Sequence, residues 1–164
     1  MHNDRGRELA RGAWIGALSG IAGVAVMTIG EKAEQAITKR PDSYLPARTL
    51  LALLGRRPGD EPQSVVWNHV MHYGTGALLG LLRGVWSVVG MRGPVASAQH
   101  TVVRLAFDQT LENGTGVGAP PTSWPRQEQI IDVLHKTVYS FATGFLTDLL
   151  LRPRLESARG RRSH

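Results

Sequence analysis

Residues 12 to 30, GAWIGALSGIAGVAVMTIG, run 19 residues without a charged side chain. A helix rises about 1.5 Å per residue, so a run of this length reaches across the ~30 Å hydrocarbon layer of a bilayer. Few folds tolerate such a segment. It has no polar face at 3.6-residue spacing to turn toward water, and its glycines weaken a soluble helix while being ordinary in membrane helices. Two alternatives stand beside a membrane span. A cleaved signal peptide would use Arg5, Arg7 and Arg11 ahead of the apolar run, but 19 residues is long for its apolar core. No small-x-small cleavage site precedes the charged EKAEQ either. A soluble bundle would need the polar face that the segment lacks.

Three more stretches follow the same logic with decreasing clarity. Pro62 to Leu82 has no formally charged residue, and its apolar character continues past Arg83 to Gly90. Val133 to Leu151 holds only His135, Lys136 and Asp148, all near its ends. Pro94 to Leu111 is marginal by hydropathy because it contains His100, Arg104 and Asp108. The mean hydropathy of the chain, −0.13, averages these spans against charged tails and a polar segment, so it does not argue against a membrane.

The four tryptophans each fall at the end of an expected helix, Trp14 and Trp86 on one side and Trp67 and Trp124 on the other. Indoles favour the headgroup level, so two belts of two suit a four-pass protein. Charge orients it. One side collects Arg5, Arg7, Arg11, Arg83, Arg92, Arg152, Arg154, Arg159, Arg161 and Arg162; the other collects Lys32, Lys39, Arg40, Arg48, Arg56, Arg57, Arg126 and Lys136. Ten basic residues against eight give a slight positive-inside bias with both termini cytoplasmic, and two termini on one side require an even number of crossings. The marginal third span is therefore counted.

The expectation is an all-α, polytopic membrane protein forming a single domain, with helices at about 12–38, 65–90, 94–112 and 126–151. In the polar loop 39–64, Pro46 suits the start of a short amphipathic helix ending at Gly55 and lying on the membrane surface. Residues 113 to 125, NGTGVGAPPTSWP, form a Gly/Pro-rich loop, with Pro125 suited to the first turn of the last helix. GTGVG is no nucleotide fingerprint, since no strand precedes it and no helix follows directly. The basic tail 152–164 suits anionic headgroups.

Gly12, Gly16 and Gly20 repeat every four residues, as do Gly76, Gly80 and Gly84, and such stripes let membrane helices approach closely. They serve packing of the first two spans or association with a second copy equally well. Ser140 and Gly144 repeat the spacing in the last span, and His69…Tyr73 matches His135…Tyr139, as a duplicated hairpin would produce.

Ionisable residues gather at one expected face: Glu31 and Glu34, His69 and His72, Asp108 and Glu112 with Arg104 one turn deeper, and Asp132 and His135. Such groups in a membrane protein turn inward and are paired or functional. Three chemistries fit. A structural network pairs Arg104 with Asp108 or Glu31. A proton or ion relay uses imidazoles beside carboxylates. A divalent metal site uses His69, His72 and His135 with carboxylates from neighbouring helices. His100 reads as an isolated interhelical hydrogen bonder, and Asp148 as a partner for Arg152 at i, i+4. With no cysteine there is no disulfide framework and no thiolate site. There is no Gly-x-Ser-x-Gly elbow or P-loop, and basic residues without interleaved aromatics do not suit nucleic acid.

HYGTGALLGLLRG, GMRGPVASAQH, and GAPPTSW followed by DVLHKTVYSFATGFLTDLL resemble the YagU-like inner-membrane proteins of bacteria, over roughly residues 65 to 151. The resemblance implies a small polytopic inner-membrane protein and supplies no catalytic residues. The expected function is a structural or interaction component of that membrane. A transporter-like or proton-handling protein is the alternative, and a metal-binding membrane enzyme a second one. The expected partners are the bilayer, anionic headgroups, and a second copy or another membrane protein.

Overall fold

The computed structural model describes residues 2–56 and 64–153, with five α-helices and no strand among them. They are α1 (His2–Thr38), α2 (Leu45–Leu53), α3 (Val65–Val88), α4 (Gly93–Gly114) and α5 (Arg126–Leu150). The four long helices coincide with the four expected spans, except that α1 begins ten residues before Gly12. Most of the basic tail, from residue 154, and Arg57 and Pro62 lie outside the described residues.

Local chemistry sets the ends. Ser64 caps α3 by accepting the Trp67 amide at 3.3 Å. Proline occupies the first turn of α2 and of α4, where its missing N–H costs nothing. Gly90 and Gly93 turn the chain between α3 and α4 at φ +100° and +76°.

The long helices alternate in direction. Gly12 of α1 meets Gly84 and Val88 of α3, while Gly20 meets Gly76, so the two run antiparallel through their glycine stripes. A Cβ built on Gly16 would lie 2.7 Å from the Gly84 Cα, and one on Gly80 2.7 Å from the Gly20 Cα. Backbone therefore packs on backbone, and the stripes are spent inside the chain. A second copy would have to meet another face. On the other flank of α1, Gly23 sits against Thr143 and the Tyr139 carbonyl of α5. Antiparallel to α5 runs α4, with Gly144 facing Ser97, and the His100 Nε2 of α4 lies 3.0 Å from the Leu79 carbonyl oxygen of α3.

The interior is polar and the exterior apolar. Among the described residues, buried polar or charged side chains number thirteen against nine buried apolar ones. Arg83, Ser87, His100, Ser140, Thr143 and Thr147 have no exposed surface at all. By contrast Trp14, Ile29, Val95, Val102, Phe145 and Leu149 are each at least 65% exposed.

By length and apolarity, one described helix, α1, qualifies to cross a membrane, and 39% of its most apolar 18-residue window is buried inside the protein. The expectation of four spans is thus met in helix number and length. It is not met in apolarity, because α3, α4 and α5 carry the inward-facing His, Arg, Asp and Lys residues.

The short helix forms where Pro46 and Gly55 indicate, but it does not lie loose on a surface. α2 buries Ala47, Thr49 and Leu51 against the bundle, and Asn68 of α3 fastens it, accepting the Ala47 amide at 3.2 Å and donating to the Ser43 carbonyl at 3.3 Å. A docked amphipathic helix has its apolar face satisfied by protein.

Candidate functional site

Two polar clusters occupy opposite ends of the bundle. At the end shared by the start of α1 and the close of α5, Arg83 reaches from α3 to Asp148 of α5 with two parallel hydrogen bonds, 2.8 and 3.1 Å. Ser87 Oγ donates to the same carboxylate at 2.8 Å, and the Gly93 amide at the start of α4 does so at 2.8 Å. An anion there also complements the positive end of the α4 dipole. Arg92 closes the cluster by donating to Ser87 Oγ at 3.0 Å and to the Asp148 and Leu151 carbonyls. Three helices are thus tied by one carboxylate. The expected Asp148–Arg152 pair is corrected: Arg152 is exposed, and Asp148 turns inward to Arg83, whose buried charge it compensates. Opposite charges in two otherwise apolar spans were the signal that could have found the pair.

At the other end lies a partly open cavity of about 300 Å³, roofed by α2 and the α4–α5 connection. The helices contribute to it in turn. Met27 and Glu31 come from α1, His72 and Thr75 from α3, and Arg104, Asp108 and Glu112 from one face of α4. Glu128, Asp132, His135 and Lys136 come from α5. Arg40 and Trp124 close the sides, and the Trp124 indole is fixed by donating to the Ala119 carbonyl at 2.9 Å.

Within the cavity wall, Arg104 donates from Nε to Asp108 at 2.9 Å and holds its guanidinium 4.9 Å from the centre of the buried Tyr139 ring. Tyr139 in turn donates its hydroxyl to the Gly76 carbonyl at 2.7 Å. Lys136 pairs with Asp132 and stands 3.6 Å from Asp108. Four buried polar atoms of the lining residues have no hydrogen-bond partner: Arg104 Nη1, Glu112 Oε2, His72 Nδ1 and His135 Nε2.

Beside the cavity, Arg40 binds Glu34 at 2.8 Å and lies 4.0 Å from Glu31. The Arg40 guanidinium, with the Thr38 hydroxyl, holds the Glu34 carboxyl below the usual range, and Glu34 raises Arg40 in return. An ion pair from Lys32 lowers Asp42 in the same way and is itself raised by it.

Of the residues expected to form one cluster, Glu31, His72, Asp108, Asp132 and His135 line the cavity together with Arg104. Glu34 lies just outside, with its carboxylate 4.0 Å from His135 Nε2. His69 does not join them. It is exposed, its Nδ1 lies 2.7 Å from its own helix's Val65 carbonyl, and its ring stacks on Tyr73 at 6.2 Å. The proposed triad of His69, His72 and His135 is corrected accordingly. Among the described residues no group of three or more His, Asp or Glu side chains is arranged to hold a metal ion. The matched His-x-x-x-Tyr pairs also differ, since Tyr139 is fully buried and His69 is on the surface.

Glu112, expected at that face beside Asp108 and Arg104, lines the cavity as well, because residues at four-residue spacing share a face. Lys136, Arg40 and Trp124 complete the cavity and were not expected in it. For Arg40 and Trp124 no signal was available, since loops place them. Comparison of the chain with protein-family models, curated proteins and solved structures gives no match.

Proposed function

We propose that the protein is a four-pass bacterial inner-membrane protein, with both termini cytoplasmic, that handles a small solute or ion through the cavity at its α2 end. One observation carries the membrane part: the bundle is polar within and apolar without. Water would penalise large apolar side chains spread over the whole girdle and would not reward a core of Arg, His, Ser and Thr. A bilayer reverses both terms, because lipid accommodates the girdle while every polar group needs a partner inside. α3, α4 and α5 have 24, 22 and 25 residues, and 22 residues already give roughly 33 Å of helix. Close glycine packing, and Trp67 and Trp86 at the two ends of α3 with Trp124 just ahead of α5, support the same reading, as does the resemblance to the YagU-like proteins, whose family we include in the proposal.

The cavity supports solute or ion handling over a purely structural role. Packing alone accounts for the Arg83–Asp148 cluster, where the carboxylate is saturated by its neighbours. It does not account for four lining residues that each bury an unpartnered polar atom beside an open volume, each of which costs about 1–3 kcal/mol when left unsatisfied.

Alkaline carbonate extraction of membranes from cells producing the full chain tests the membrane reading. The protein is expected in the pelleted membranes. Recovery in the soluble fraction overturns it.

A further inference from the structure

We infer that the cavity at the α2 end binds a compact zwitterion, a molecule carrying an ammonium group and an anionic oxygen a few bonds apart, either as a free solute or as the headgroup of an ethanolamine lipid. This rests on the reading that the cavity takes a small solute, and adds which kind.

Charge balance within the wall sets the ligand's cationic half. Five carboxylates line the cavity against three fixed cations. Asp108 and Asp132 are both served by Lys136, and Asp108 by Arg104 as well. Glu31 has Arg40 at 4.0 Å. Glu112 is the buried carboxylate without such a partner: it is 9% exposed, and its Oε2 has no hydrogen bond. When ionised, a carboxylate held this way is best answered by a donor bearing positive charge, which a ligand's ammonium group supplies.

The same wall sets the anionic half. Arg104 is 3% exposed and spends its Nε on Asp108, leaving Nη1 buried without an acceptor. A guanidinium does not lose its proton, so Nη1 remains a donor at any relevant pH. An inorganic cation would answer Glu112 and leave Arg104 bare, while a simple anion would do the reverse. One molecule with both groups answers both.

Geometry limits its size. Arg104 and Glu112 stand two turns apart on α4, about 12 Å along the axis, and Arg104 leans across the first of those turns to reach Asp108. That lean shortens the span a ligand has to bridge. A volume of about 300 Å³ is at the small end of ligand sites. Met27, Met71 and Leu111 offer apolar wall for a short methylene spacer.

Trp124 lines the cavity and reports on it. The full chain in detergent is titrated with β-alanine, with its two halves ethylammonium chloride and sodium propionate at matched ionic strength, and with phosphatidylethanolamine in mixed micelles. β-Alanine is expected to give a saturable change in tryptophan emission that disappears in Trp124→Phe. Its affinity should exceed that of either half by about tenfold or more, and Glu112→Gln should weaken it by a similar factor, the scale of one lost charged contact. Micelles that produce the change while β-alanine alone does not would assign the site to the lipid headgroup. No saturable response to either source overturns the inference, as do halves that bind as well as the whole or a Glu112→Gln variant that binds unchanged. The comparison with the halves uses the unaltered chain, so it decides even if Glu112→Gln fails to fold. A chain that pellets with carbonate-washed membranes yet ignores zwitterions overturns the ligand alone.

Discussion

Arg83 has no exposed surface and Asp148 little, so the two charges compensate each other away from water. Removing one partner leaves an uncompensated buried charge, which costs about 3–5 kcal/mol, whereas replacing both by apolar residues of similar size is often neutral. Asp148→Ala should therefore lower the thermal midpoint sharply in detergent, and Arg83→Met combined with Asp148→Leu should recover most of the loss. If the single and double variants melt together, the pair does not hold the helices. Glu34 gives the residue scale a pH dependence. Its carboxyl is held below the usual range by Arg40, so its contribution is complete above the unfolded value and is lost as pH falls through the folded one. The link from Gln35 to Tyr44 should exchange its amide hydrogens faster, relative to intrinsic rates, as pH drops from 7 toward 3. Glu34→Gln should flatten that trend, and a trend unchanged in Glu34→Gln would show that Glu34 is not its source.

The pairing of α1 with α3 is decided by what glycine omits. A Cβ on Gly16 would meet the Gly84 backbone, which cannot swing aside as a side chain does, whereas a Cβ on Gly74 meets nothing within 4 Å. Gly16→Ala should thus force the helices apart at about 1–3 kcal/mol, while Gly74→Ala should be neutral or better, since alanine favours helix. Equal melting of the two variants would refute backbone-on-backbone packing. The close-packing faces were legible in the sequence, because a four-residue repeat of glycine lines one face of a helix; that α1 and α3 spend them on each other and not on a second copy was not. α2 was legible in its ends, from Pro46 and Gly55, but not in its dock. Asn68, which fastens it, lies 21 residues from the amide it accepts, and no local pattern predicts such a contact. The cavity divides the same way. Its α4 face, Arg104–Asp108–Glu112, can be read from spacing, whereas the entry of Arg40 and Trp124 and the exclusion of His69 depend on how loops and helix rotations settle. His69 and His72 are near neighbours on α3, yet the helix turns His72 to the cavity and His69 outward.

For the whole molecule, the polar interior and apolar girdle make a prediction that no single helix makes. α3, α4 and α5 fall short of a membrane span when scored for apolarity, because such a score averages the inward face with the outward one. A bilayer meets only the outward face, and on α3 and α4 that face holds Leu78 and Val102, 53% and 65% exposed. The chain has no cysteine, so single cysteines can be placed without a background. Leu78→Cys and Val102→Cys lie near the middle of their helices, and Ser43→Cys is exposed beside α2. If lipid covers the girdle, a membrane-impermeant maleimide should modify Ser43→Cys in intact membranes. It should leave Leu78→Cys and Val102→Cys untouched until the membrane is dissolved in denaturing detergent, because a thiol in hydrocarbon is neither ionised nor reached by the reagent. A water-soluble bundle exposes all three thiols equally, so comparable rates at Ser43 and Val102 would refute the four-pass reading. The side from which Ser43→Cys is labelled fixes the orientation. Labelling from outside sealed cells agrees with cytoplasmic termini, because α2 sits at the opposite end of the bundle from the start of α1 and the close of α5.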